Sequence, residues 1–113
     1  MNRPHMLIIA ASLAVANAAY AAPASMLEAS NPFARVSKLP LNYPAFDKIK
    51  NEHYEPAFAE GMRQEMLEVE AIANNPKPAT FENTIVAMER SGKLLDRVSS
   101  VFGNLSGANT NDT

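Results

Sequence analysis

Four prolines, Pro23, Pro32, Pro40 and Pro44, are spread through residues 22–50, immediately before a stretch whose apolar residues keep helical spacing. Each proline fixes its own φ, removes an amide donor and steers the preceding residue away from the α region. Regular helix is therefore not expected in residues 22–50, which read as an extended strap. Phe33, Leu39, Leu41, Tyr43 and Phe46 are its apolar pegs, and such a strap needs another surface to lie on.

A turn at residues 51–54 leads into a helix predicted over residues 55–74. Pro56 falls in its first turn, where a missing amide hydrogen costs nothing. Phe58, Met62, Met66, Val69 and Ala73 recur at steps of three and four and predict a single apolar face, with Glu60, Arg63, Gln64, Glu68 and Glu70 largely off it. Asn74-Asn75-Pro76-Lys77-Pro78 stops the helix. Thr80 is a good N-cap for a second helix predicted over 80–106, and Glu82 suits its first turn. The apolar series Phe81, Ile85, Met88, Gly92, Leu95, Val98, Phe102, Leu105 keeps the same spacing. Gly92 costs roughly 1 kcal/mol against alanine in a helix interior, so its place on the stripe predicts close approach of the other helix. Glu89 and Lys93 are spaced for an i,i+4 pair, and Gly107 for a stop. Leu94 and Val101 form a second apolar flank suited to further protein. Asn109 to Thr113 read either as the entry to another helix or as a polar tail. The fold class expected is all-α: a Pro-rich strap followed by a two-helix antiparallel hairpin, forming part of a larger helical lobe.

The N-terminus reads as a removable leader. Arg3 gives a positive start, Met6 to Ala16 is an apolar run too short to span ~30 Å of bilayer, and Ala19-Tyr20-Ala21 is a small-x-small cleavage pattern. Residues 1–21 are the predicted signal peptide, with Ala22 the new N-terminus. The product is expected to be exported to the periplasm, with no membrane association after cleavage. The formal net charge of −2 becomes −3 when Arg3 leaves, and no basic stripe offers a footprint for nucleic acid. The absence of cysteine excludes disulfides and thiolate metal sites.

Catalytic chemistry is hard to find. His5 leaves with the leader, so His53 is the only remaining histidine, and no H-E-x-x-H occurs. His53 reads as a helix-entry or packing residue, and Tyr54 as an apolar peg with a hydrogen-bonded hydroxyl. Glu65, Glu68 and Glu70 spread around a helix and read as a solvated face. Ser91-Gly92-Lys93 lacks the earlier glycine of a phosphate loop, Ala87 standing in its place. Asn104-Leu105-Ser106 and Asn111-Asp112-Thr113 match the glycosylation acceptor pattern. No residue is assigned as catalytic, cofactor-binding or metal-binding.

The stretch Phe46-Asp47-Lys48-Ile49-Lys50, then His53-Tyr54-Glu55-Pro56-Ala57-Phe58, resembles the opening of the thimet oligopeptidase family of zinc metallopeptidases. So does the continuation from Glu68 to Asp112, and in particular Pro76–Thr84. The peptidyl-dipeptidase, or dipeptidyl carboxypeptidase, branch is the best match, from about Asn31 to Thr113. The resemblance implies a large helical enzyme with two lobes around a deep channel. It would remove C-terminal dipeptides from short peptides with one zinc, held by H-E-x-x-H and a later glutamate far downstream in the family. The matching part would be an N-terminal scaffold and channel-wall segment, its partner the remainder of the peptidase chain. The alternative is a free-standing exported helical module that binds a partner protein. A complete small enzyme is a third reading, opposed by the single histidine.

Overall fold

The computed structural model describes residues 24–109. The predicted signal peptide, residues 1–21, and the acceptor pattern at Asn111 lie outside the described residues. Among the described residues every regular element is helical. The strap winds over the surface through short 3-10 turns at Pro32–Ala34, Pro40–Asn42, Phe46–Lys48 and Asn51–His53, linked by residues in extended conformation. Proline opens two of these turns, where its fixed φ suits the bend and its missing donor is not needed.

Helix α1 spans Tyr54–Ala73 and places Pro56 in its first turn, as the spacing predicts. The arm that follows is not one helix over 80–106. Phe81–Val86 is wound as a wide π-type helix and runs into a short α2, Ala87–Arg90. Ser91 is extended, Gly92 has φ +67°, and α3 then spans Lys93–Ala108. Gly92 is thus the N-cap of α3 rather than a helix-interior residue. The left-handed conformation is open to glycine at little cost and breaks the ladder. The break also undoes the expected Glu89–Lys93 ion pair: Lys93 Nζ instead donates to the backbone carbonyl of Glu89 at 3.2 Å. Gly107 does not stop α3, which continues to Ala108.

Helices α1 and α3 pack antiparallel: Glu68 lies against Gly92, Gly61 against Leu95, and Phe58 against Phe102. The closest approach is at Gly61, not Gly92, since a Cβ on Gly61 would lie 2.9 Å from Leu95 Cα. The core consists of Phe33, Ala57, Leu94, Val98 and Val101, with Leu27, Phe46, Ile49, Tyr54, Phe58 and Leu105 packed around it. Leu94 and Val101, expected on an outward flank, therefore face inward. The reason lies in α1: Ala57 and Gly61 are small and let the backbone of α3 come close, so the Leu94–Val98–Val101 row seats there. Of the strap's pegs, Phe33 is buried in this core and Phe46 packs on its edge, but Leu39 and Tyr43 are exposed and Leu41 is 99% exposed.

Candidate functional site: the clamped and open flanks of the helix pair

The two flanks of the α1–α3 pair differ in chemistry. On one, polar side chains tie down the strap. Glu60, only 6% exposed, accepts from the backbone N–H of Met26 at 2.9 Å, from Arg63 Nε at 2.7 Å and Nη2 at 2.8 Å, and from Gln64 Nε2 at 2.7 Å. Arg63 Nη2 also donates to the carbonyl of Ala24 at 2.9 Å. The Arg63 hydrogen bonds, outweighing the cost of burial and helped by Met26 and Gln64, hold the Glu60 carboxyl down to about 2. The same pairing raises Arg63 above its ordinary value. Farther along, Arg97 Nη2 donates to the carbonyl of Phe33 at 2.9 Å, while burial pushes Arg97 down and its Nε has no partner among the described residues. Asn31, also buried, caps the Pro32–Ala34 turn by accepting from Phe33 N at 2.9 Å and donates to the carbonyl of His53 at 3.0 Å.

The other flank is apolar and open. Phe58, Met62, Met66 and Val69 share one quadrant of α1 at about 100° per residue. Of these, Met62, Met66 and Val69 are 54%, 64% and 36% exposed. Phe58 meets Phe102 edge-on at 5.7 Å, and Phe102 meets the ring of Tyr54 at 5.4 Å. Phe102 is itself 48% exposed, so it carries the apolar surface from α1 across to α3. The predicted apolar face of α1 is therefore real as a stripe. Only its Phe58 end packs within the described residues; the helix turns its Ala57–Gly61 side to α3 instead.

His53, the tyrosine and glutamates of α1 and the Ser91–Lys93 segment occupy structural positions. His53 stands at the entry to α1, as expected, and its Nδ1 accepts from the backbone N–H of Lys50 at 3.0 Å. Tyr54 packs against Phe33 and Phe102, but its hydroxyl is buried with no hydrogen-bond partner among the described residues, contrary to expectation, and burial raises its pKa. Glu68 is not simply part of a solvated face: its Oε2 accepts from the N–H of Gly92 at 2.8 Å. Glu65 also lies against Gly92, while Glu70 is exposed. Ser91-Gly92-Lys93 is a helix break, with Ser91 Oγ donating to the carbonyl of Met88. Asn104-Leu105-Ser106 lies within α3.

Among the described residues no group of three or more His, Cys, Asp or Glu side chains could hold a metal ion. No helix among them is long and apolar enough to cross a membrane. Pattern reasoning missed Asn31, Glu60 and Arg97 as tertiary anchors. The i,i+3 and i,i+4 spacing of Glu60, Arg63 and Gln64 was a visible signal, but their strap partners are backbone atoms, which leave no trace in side-chain pattern.

No family model matches the chain. It is 52% identical over 83 residues to the dipeptidyl carboxypeptidase of Salmonella typhimurium, and 55% identical over 82 residues to that of Escherichia coli. These matches cover 74% and 73% of this chain but only 12% of the length of each relative.

Proposed function

Since this chain is a sequence relative of the dipeptidyl carboxypeptidases, in the peptidyl-dipeptidase branch of the thimet oligopeptidase family, we propose that it serves as the N-terminal scaffold and channel-wall segment of an exported zinc metallopeptidase. The substrates proposed for the whole enzyme are short peptides, which lose C-terminal dipeptides. The single observation that carries the reading is identity above half over nearly three-quarters of the chain, within about an eighth of the relatives' length. The open stripe Phe58–Met62–Met66–Val69 supports it, because a large apolar surface is normally covered.

The chain's own residues supply shape. The Glu60–Arg63 clamp and the Arg97–Phe33 bond hold the strap across the helix pair, and Gly61 sets the spacing of α1 and α3. A peptidase zinc would polarise the scissile carbonyl and activate water. The donor set here does not suit it: the one described histidine has its Nδ1 engaged by Lys50, and no carboxylates gather around it. In this reading the metal is held by residues of the remaining chain. Export rests on the order of Arg3, the apolar run Met6 to Ala16 and Ala19-Tyr20-Ala21.

The core around Phe33 and the clamped strap favour a second reading, an exported module that folds alone and binds a partner. Zinc analysis after dialysis and a fluorogenic peptide assay on residues 22–113 test the non-catalytic role. The expected result is neither stoichiometric zinc nor dipeptide release; zinc that disappears on His53→Ala overturns it. N-terminal sequencing of the exported protein is expected to begin at Ala22, and intact Met1 in the cytoplasm contradicts export.

A further inference from the structure

The two flanks of the helix pair are not equivalent, and the difference says which one meets the rest of a longer chain. The flank bearing Glu60 and Arg97 is already occupied by the strap, whose backbone satisfies the polar groups there. The flank bearing Phe58, Met62, Met66 and Val69 has one charged residue in its quadrant, Glu55, which stands at the start of α1 ahead of Phe58, and the stripe continues through Phe102 onto α3. Glu65, Glu68 and Gln64 do not interrupt it: Glu65 and Glu68 turn toward Gly92, and Gln64 toward Glu60. An uninterrupted stripe of large flexible side chains at helical spacing is the surface another amphipathic helix packs on. Methionines suit this, since they adapt to the facing side chains.

We propose that the stripe Phe58–Met62–Met66–Val69, continued by Phe102, is the docking face for a further helical segment of the same longer peptidase. This rests on the reading of the chain as a peptidase segment, and it commits to the occupant that the relatives' length supplies. With 12% of that length matched here, most of such an enzyme lies outside this chain. The occupant is an apolar helix face, and Met26, held by its backbone to Glu60 on the clamped flank, lies away from it.

Three methionines report on the two flanks. Met26 lies in the strap and is 77% exposed, while Met62 and Met66 lie in the stripe at 54% and 64%. Oxidation of methionine to the sulfoxide follows exposure. The chain alone and the Escherichia coli dipeptidyl carboxypeptidase carrying this chain in place of its own matching segment are treated with dilute hydrogen peroxide, and the sulfoxide at each methionine is quantified by mass spectrometry. In the monomeric chain alone, all three oxidise at similar rates. In the hybrid enzyme, Met62 and Met66 slow by about tenfold or more relative to the chain alone, while Met26 does not. A hybrid that releases dipeptides yet oxidises Met62 and Met66 as fast as Met26 overturns the docking face and leaves the peptidase reading standing. A hybrid that neither folds nor releases dipeptides overturns that reading, and the docking face with it.

Discussion

The backbone N–H of Gly92 donates to Oε2 of Glu68 at 2.8 Å, joining the N-cap of α3 to the side of α1. The carboxylate takes one amide at the break and brings negative charge to the positive end of the α3 dipole. Gly92 can present that amide because its φ is +67°, a conformation side chains disfavour.

Gly92→Ala is therefore expected to destabilise the fold by about 1–2 kcal/mol. An added Cβ would lie 3.0 Å from Glu65 Oε1, the movable end of a side chain, so backbone conformation dominates the cost. Gly103→Ala has the opposite sign: the residue is inside α3 with nothing within 4 Å of an added Cβ, and the change should stabilise by about 0.5–1 kcal/mol. Urea unfolding of both variants checks the pair; equal signs contradict the account.

Gly61→Ala acts through packing. Its Cβ would meet backbone atoms of Leu95 at 2.9 and 3.0 Å, and backbone cannot step aside as a side chain can. A loss of about 1–3 kcal/mol is expected. Thermal melts should show Gly61→Ala well below Gly103→Ala.

Glu60 makes the strap acid-sensitive. Its folded-state carboxyl, at about 2, lies below the ordinary 4.5, so the unfolded chain binds the proton more readily. The stabilisation is complete above about pH 4.5 and is lost as pH falls toward 2. Unfolding midpoints measured between pH 7 and pH 2 should fall steeply across that window. Glu60→Gln should flatten the slope, and Glu60→Ala should lower stability at neutral pH by about 1.5–3 kcal/mol.

Tyr54→Phe removes a buried hydroxyl without a partner while keeping the ring between Phe33 and Phe102. The substitution should leave the chain as stable or raise its stability by about 1 kcal/mol. Equilibrium unfolding in urea measures it, and a loss above 1 kcal/mol contradicts the assignment of that hydroxyl as unsatisfied.

Much of this architecture was legible because helical periodicity and proline placement are strong local signals. The start of α1, the stop at Asn74–Pro78 and the Thr80 cap all follow from residue type. The cap is closed by Asn83, whose Oδ1 accepts from Thr80 N at 2.8 Å, rather than by an acidic residue. The faces were harder to read. Phe58, Met62 and Met66 outweigh Ala57 and Gly61 on any hydrophobic count, yet small residues decide where two backbones can touch. Gly92 kept step with the apolar series and so looked continuous, although its left-handed φ ends one helix and begins another. The apolar pegs among the prolines imply that the strap lies on another surface. Its anchors leave no such signal, because Glu60, Arg63 and Arg97 reach main-chain atoms distant in sequence.

The rate of C-terminal dipeptide release by the hybrid Escherichia coli enzyme tests the central claim most directly. The parent enzyme, a variant lacking the matching segment, and the hybrid carrying this chain are compared on one short peptide. If the chain is a scaffold segment of such a peptidase, the deletion loses activity and the hybrid recovers it to within about tenfold of the parent, a difference of about 1.4 kcal/mol in barrier. A deletion variant that keeps the parent's rate, or a folded hybrid no more active than the deletion, contradicts the account.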